Sequence, residues 1–255
     1  MKAIILAAGE GKRLRPFTLN QPKCLVEIDG RSLLERHIEV LRSRNVHPIT
    51  LIGGYLVDML AGYGDEVRYN PDFADSNMVW TLLFAERDIR EGAIIAYGDI
   101  VYAPDILDAM LSSDAQISVA IDLNWEDYWR RRSENPLLDA ESLKLSSDGH
   151  ILEIGSKPTH ISEIQGQYMG LIKLSIAGVE KIFETLRKAT VTGLLNAKPL
   201  KNAYMTDLIQ AVIDDGNLVK SIPVTSDWVE IDNVIDLKLD LTRQRLANIA
   251  TALLS

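Results

Sequence analysis

Short apolar runs alternate with segments of helical periodicity through the first half of the chain. Residues 3–7 are apolar at every position. Residues 32–44 place Leu33, Leu34, His37, Ile38 and Leu41 at helical spacing. Residues 49–52 form a second buried-strand pattern, and 67–69 a weaker third. Residues 77–89 predict a helix with Val79, Leu82, Leu83 and Ala85 inward. Ala93–Tyr97 is the most apolar strand, a helix opens near Pro104, and 117–121 predicts another strand. Continuous apolar strands separated by helices predict an α/β fold, with βαβ units around a parallel sheet. Ligands of such sheets bind at the carboxyl ends of the strands. That directs attention to the residues just after Ala7, Ile52 and Tyr97.

After Leu123 the rhythm changes. Residues 142–145 and Ile151–Ile154, with Asp148-Gly149 between them, predict a β-hairpin. Gln167–Leu174 predicts a further strand. Helices come next at about 179–188 and 204–213, then a strand near 219–222 and a C-terminal helix from about Val234. With 255 residues and no repeat, low-complexity tract or evident linker, we expect one domain over 1–255. Its first half, 1–123, would bind the main ligand, and 124–255 would build a lid or second pocket on it.

Composition narrows the function. Hydrophobic residues make up 47% and charged residues 25%, an ordinary globular balance. The single cysteine, Cys24, excludes an intramolecular disulfide framework and a cysteine-based zinc site. A net charge of −9 is the opposite of what phosphate neutralisation on DNA or RNA needs, so no nucleic-acid partner is expected. No apolar run reaches the roughly 18–20 residues of a membrane helix, and the expected location is the cytoplasm. A homodimer stays open.

Against that acidic background one loop is cationic. The run Leu6-Ala7-Ala8-Gly9-Glu10-Gly11-Lys12-Arg13-Leu14-Arg15-Pro16, extended to Pro22-Lys23, directly succeeds the first strand. Two glycines let the backbone approach a ligand and point N–H groups at it. From Gly11 to Val26 there is no Asp or Glu, while Lys12, Arg13, Arg15 and Lys23 are present. The pattern predicts a small polyanion held at one place. It is neither the dinucleotide fingerprint, which wants a third Gly at Leu14, nor a Walker A loop, which wants Ser or Thr at Arg13.

Asp99, in Tyr97-Gly98-Asp99-Ile100, closes the most apolar strand, where a carboxylate can hold Mg²⁺ beside phosphates. Asp232 could be its partner; it ends Trp228-Val229-Glu230-Ile231-Asp232, a short alternating segment. Taken alone, each reads equally well as a helix cap or a turn residue. The segment Trp125-Glu126-Asp127-Tyr128-Trp129-Arg130-Arg131-Arg132 reads as a surface helix with its aromatics inward, or more sharply as an acceptor wall. His37 falls on an apolar helix face and reads as a core histidine. Cys24 has no local histidine to activate it.

The first loop, with Pro16, Thr18, Pro22 and Lys23, resembles the signature loop of the nucleotidyltransferases that activate sugar phosphates and small phosphates. Asp99 and Asp232 fall where that family carries two Mg²⁺ ligands. Within it the chain is most similar to the small cytidylyltransferases acting on phosphoglutamine, phosphocholine and phosphonates. The likeness includes Asn135-Pro136-Leu137, Asp139-Ala140-Glu141, Gln167-Tyr168-Met169-Gly170 and Tyr204-Met205-Thr206. Ala8 and Lys12 depart from the sugar-phosphate branch, and so do Gly54-Tyr55 and Ser76-Asn77, at its base- and sugar-reading segments.

The resemblance implies a three-layer αβα Rossmann-like nucleotidyltransferase fold, with a mostly parallel sheet and a small β-rich acceptor or lid insertion. It also implies transfer of CMP from CTP to a small phosphate or phosphonate, with Mg²⁺ and release of pyrophosphate. Lys23 would meet the α-phosphate and the incoming oxygen, and Arg13 the β- and γ-phosphates. Leu6, Ala7, Ala8, Gly9, Gly11, Lys12, Gly54, Tyr55, Asn77 and Asp99 would complete the nucleotide site, and Asp99 with Asp232 would hold the metal. On the acceptor side stand Trp129, Asn135, Lys157, Gln167, Tyr168, Tyr204 and Asp207. The alternatives are a uridylyl- or guanylyltransferase of sugar 1-phosphates, a glycosyltransferase of related fold and a nucleotide-sensing domain without turnover. The glycosyltransferase usually needs an Asp-x-Asp motif, of which Asp99 supplies one member.

Overall fold

Seven strands form one sheet in the computed structural model, which describes residues 1–254. Their spatial order is Lys220–Val224, Ile117–Asp122, Gln167–Leu174, Ala93–Tyr97, Lys2–Ala7, Ile49–Gly53 and Glu66–Tyr69. All run parallel except Gln167–Leu174, which is antiparallel to both of its neighbours. The expected mostly parallel sheet is present, and the predicted hairpin forms from Leu143–Leu145 and Ile151–Ile154.

The sheet separates two apolar layers. One face packs Ile5, Ala7 and Ile94 against Leu33–Ser43, Pro104–Ser112 and the C-terminal helix. The other packs Ile4, Leu6 and Ile95 against Met78–Leu83, Ile176–Thr192 and Met205–Asp214. Alternation along the first strand, Ile4 to one side and Ile5 to the other, accounts for its unbroken apolar reading. The helix Leu33–Ser43 starts where it does because Ser32 and Glu35 form a reciprocal capping box.

Three helices differ from the sequence reading. The one expected over 77–89 is shorter, Met78–Leu83. Beyond it the chain tightens into turns, with Ala85 N–H donating to the Leu82 carbonyl at 2.9 Å. Those turns still bury Ala85 and Ile89. The helix expected at 179–188 is longer, Ile176–Thr192, capped by Ser175 and ended by Gly193 in the left-handed conformation. The C-terminal helix is two, Val234–Lys238 and Asp240–Ala252, because Leu239 between them is extended.

The ends of three parallel strands lie level, with Leu6 beside Tyr97 and Ala7 beside Gly53. A smaller ladder, whose pairing the sequence does not predict, sits next to them. Trp228–Glu230 pairs antiparallel with Ile100–Tyr102, placing Glu230 opposite Ile100.

Candidate active site

That ladder brings two distant aspartates together. Ile231 N–H donates to the Asp99 carbonyl at 3.1 Å, so Asp99, just before Ile100–Tyr102, runs beside the residues just after Trp228–Glu230. Lys23 reaches between them. Its Nζ lies 2.5 Å from Asp99 Oδ2 and 2.7 Å from Asp232 Oδ1. Arg13 Nη2 donates to the same Asp232 oxygen at 3.1 Å.

The first loop gets its shape from Gly11, whose φ of +62° is left-handed. A Cβ there would lie 3.0 Å from the Lys23 Cβ and 3.0 Å from the Thr18 methyl. Thr18 Oγ1 donates to the Gly11 carbonyl at 2.8 Å and ties the loop's two arms. Every cation that marked this loop in the sequence has a carboxylate partner. Lys12 and Arg15 pair with Glu10 at 3.4 and 3.2 Å, and Arg13 and Lys23 pair with the aspartates.

Burial alone would lower the Lys23 pKa, but Asp99 and Asp232 more than reverse it and hold the amine above the ordinary lysine range. For Asp232, burial pushes upward, and Lys23 first and then Arg13 outweigh it, lowering the carboxyl to about 2. Burial raises the Cys24 thiol, to about 12, which leaves it protonated and unsuited to nucleophilic work. One oxygen, Asp99 Oδ1, is buried without a hydrogen-bond partner among the described residues.

These groups border a cleft of about 350 Å³, within the range of small-ligand sites. Leu6, Ala7, Ala8, Gly9, Gly11 and Lys12 form one wall of it, and Arg13, Lys23, Asp99 and Asp232 another. Asn77 also faces the cleft, although its amide donates to the Asn202 carbonyl at 2.7 Å. Gly54 and Tyr55 stand behind the loop rather than on the cleft. Tyr55 N–H donates to the Ala8 carbonyl at 3.1 Å, and a Cβ on Gly54 would lie 2.7 Å from that oxygen and 2.3 Å from the Phe73 Cβ. Both therefore back the loop and do not line the cleft itself.

The residues expected on the acceptor side do not line the cleft. Tyr168 comes nearest, its ring edge-on to Tyr97 at 5.7 Å, and Tyr97 does line it. Gln167 clamps both the N–H and the carbonyl of Glu141. Asn135 caps the short turn at Pro136–Leu138. Lys157 Nζ donates to the Leu138 carbonyl at 2.6 Å. Asp207 is spent on Lys198 and the Tyr204 N–H, and Tyr204 lies under the Lys198 ammonium. Trp129 is 4% exposed, packed among Trp125, Tyr128 and Trp228.

The sequence reading passed over two charged residues. Arg132 ion-pairs with Glu230, Asp232 and Asp236 behind the cleft. Glu141, whose pKa burial raises, interacts electrostatically with Tyr97 and Tyr168, and among the described residues its carboxylate accepts from Thr206 Oγ1 alone, at 3.5 Å. An arginine at the inward edge of an amphipathic helix was the one signal available for the first.

Residues 3–143 match the family model described as a MobA-like NTP transferase domain. The CTP:phosphoglutamine cytidylyltransferase of Campylobacter jejuni is 35% identical over 255 residues, spanning 95% of this chain and 100% of that one. The choline-phosphate cytidylyltransferase of Streptococcus pneumoniae is 38% identical over 99 residues, 37% of this chain and 43% of that one. The inositol-1-phosphate CTP transferase from T. maritima shares the fold, with a TM-score of 0.77 at 20% identity over 97% of this chain and 95% of that one. Among the described residues no helix is long and apolar enough to cross a membrane.

Proposed function

The chain belongs to the MobA-like NTP transferase family, and we propose that within it this nucleotidyltransferase moves CMP from CTP to a small phosphorylated acceptor, phosphoglutamine before phosphocholine or a phosphonate. The observation that carries the reading is the convergence of Lys23, Asp99 and Asp232 at the mouth of the glycine loop. The base and the acceptor class rest on the relative that matches over its whole length.

The acceptor oxygen bonds to the α-phosphorus of CTP, the bond from that phosphorus to the bridging oxygen breaks, and pyrophosphate leaves. A phosphomonoester's second pKa is about 6, so the oxygen is already ionised near neutral pH and no general base is needed. What remains is repulsion between two anions, which is met by positioning and charge. Lys23 is charged throughout the working range and turns from the aspartates to the α-phosphate. Arg13 leaves Asp232 for the β- and γ-phosphates, and the Gly9 and Gly11 amides add donors.

The aspartates fit a divalent cation. They offer hard carboxylate oxygens, one of them buried and, among the described residues, unpartnered at Asp99 Oδ1. Mg²⁺ held by Asp99 and Asp232 would neutralise charge on the reacting phosphate, with substrate oxygens and water completing its shell.

The test is a pyrophosphate-release screen that crosses CTP, UTP, GTP and ATP with phosphoglutamine, phosphocholine, aminoethylphosphonate and sugar 1-phosphates. Release confined to CTP with phosphoglutamine is the expected result. Release with UTP or GTP and a sugar 1-phosphate would make it an enzyme of the sugar branch. Tight CTP binding without release on any acceptor would make it a sensor.

A further inference from the structure

Arg132 ends the helix Trp125–Arg132 and turns inward. Its two neighbours behave as a surface helix requires, Arg130 pairing with Glu126 and Arg131 with Asp127 one turn back. The Arg132 side chain is only 4% exposed. Its Nη1 donates to Glu230 Oε2 at 2.8 Å, and its Nε to Asp236 Oδ1 at 2.9 Å. Nη2 is shared between Asp236 Oδ2 at 3.2 Å and Asp232 Oδ2 at 3.3 Å. The rings of Tyr128 and Trp129 each lie 5.1 Å from the guanidinium carbon. Asp236 in turn accepts the Asp232 N–H at 2.8 Å through the same Oδ2.

We propose that Arg132 is a positioning residue for the cation site: it engages Asp232 Oδ2 directly and the Asp232 backbone through Asp236, so that Oδ1 alone is presented to the cleft. The proposal rests on reading Asp99 and Asp232 as cation ligands. The two oxygens of Asp232 have separate neighbours. Oδ1 takes Lys23 and Arg13 from the cleft, and Oδ2 takes Arg132 from behind. A carboxylate held at one oxygen and at its backbone cannot turn edge-on to chelate with both.

Charge points the same way. When Lys23 and Arg13 turn to the triphosphate, Asp99, Asp232 and Asp236 are left, among the described residues, with Arg132 as the guanidinium paired among them. That excess of negative charge is relieved by a divalent cation. Arginine suits the position because one planar fork can serve three carboxylates from a buried place. A lysine ammonium is a more strongly hydrated point charge and offers no such fork.

The experiment measures Mn²⁺ binding by calorimetry in the presence of a CTP analogue with a non-cleavable α,β-bridge, and analogue binding without metal. Groups that orient metal ligands are typically worth about 10–100-fold in metal affinity. Arg132→Lys should weaken Mn²⁺ by about that factor and leave metal-free analogue binding unchanged. The double variant Arg132→Met, Asp236→Asn removes one buried charge of each sign, a change that such pairs often tolerate, and should show the same loss. A folded variant of either kind that binds Mn²⁺ as the wild type does overturns the proposal. Failure of both chains to fold makes Arg132 a folding residue and overturns it as well. Wild-type protein that binds no Mn²⁺ beside the analogue overturns the cation-ligand reading itself, and the proposal with it.

Discussion

Lys23 cannot serve two aspartates and a triphosphate at once. With its amine 2.5 and 2.7 Å from their oxygens, it occupies the space between them that a cation would use. Removing it should therefore have opposite effects on turnover and on metal binding. Lys23→Met should lose about 10²–10³ in kcat, the usual cost of one charge-stabilising donor. The same variant should bind Mn²⁺ more tightly than the wild type when no nucleotide is present, because the competing ammonium is gone. Calorimetry without nucleotide checks this, and unchanged Mn²⁺ affinity would remove the competition. The stretch free of acids that holds Lys23 and the apolar strand that Asp99 closes marked both as candidates, and the family resemblance singled them out from Lys12, Arg13, Arg15 and a plain helix cap. Arg132 was not singled out. It is the third of three consecutive arginines; helical spacing from Trp125, Tyr128 and Trp129 puts it at the apolar edge, but nothing local names the three carboxylates it meets there.

Among the elements, two close approaches set how the site is held. The turn after Ile49–Gly53 presses on the glycine loop at Gly54, with Phe73 on its other side. Gly54→Ala has no room on either flank. Overpacking of this kind typically costs about 1–3 kcal/mol. The expected outcome is a lower urea midpoint together with weaker nucleotide binding, since the same displacement moves the Ala8 carbonyl. A variant that loses stability and keeps its nucleotide affinity would separate Gly54 from the site. The helix Leu33–Ser43 carries a different kind of constraint. His37 is fully buried, its Nε2 is 3.1 Å from the Tyr102 hydroxyl, and burial lowers its pKa from 6.5 to about 3. Between those values the folded state binds fewer protons than the unfolded chain, so stability falls as pH drops through 6.5. At about 1.4 kcal/mol per pH unit, the loss by pH 5 is about 2 kcal/mol. His37→Gln should shrink the difference in unfolding free energy between pH 7.5 and pH 5 by that amount. The helix and the core place of His37 were readable from periodicity. The alternation at 228–232 was readable too, but its pairing with Ile100–Tyr102 was not, because nothing local names a partner strand so far away in sequence.

For the whole molecule, the order of strands in the sheet decides what can exist alone. The sequence divides naturally at 123, where the βαβ rhythm stops, and the cleft-lining glycine loop, Lys23 and Asp99 all lie before that point. The sheet does not divide there. Gln167–Leu174, from the second half, is inserted between Ala93–Tyr97 and Ile117–Asp122, both from the first. Without it those two strands have no hydrogen-bonded contact with each other, and each exposes a row of unpaired backbone groups. Leu171, Ile172 and Leu174, all buried on that inserted strand, would vanish from the two apolar layers. The second half also supplies Asp232, the partner that Lys23 and Asp99 need. A chain of residues 1–123 should therefore lack a cooperative unfolding transition and bind no CTP, despite carrying the whole glycine loop. Circular dichroism during urea unfolding, with CTP calorimetry, tests both. A fragment that unfolds cooperatively and holds CTP would show that the first half is an autonomous nucleotide-binding unit, with the inserted strand an addition to it.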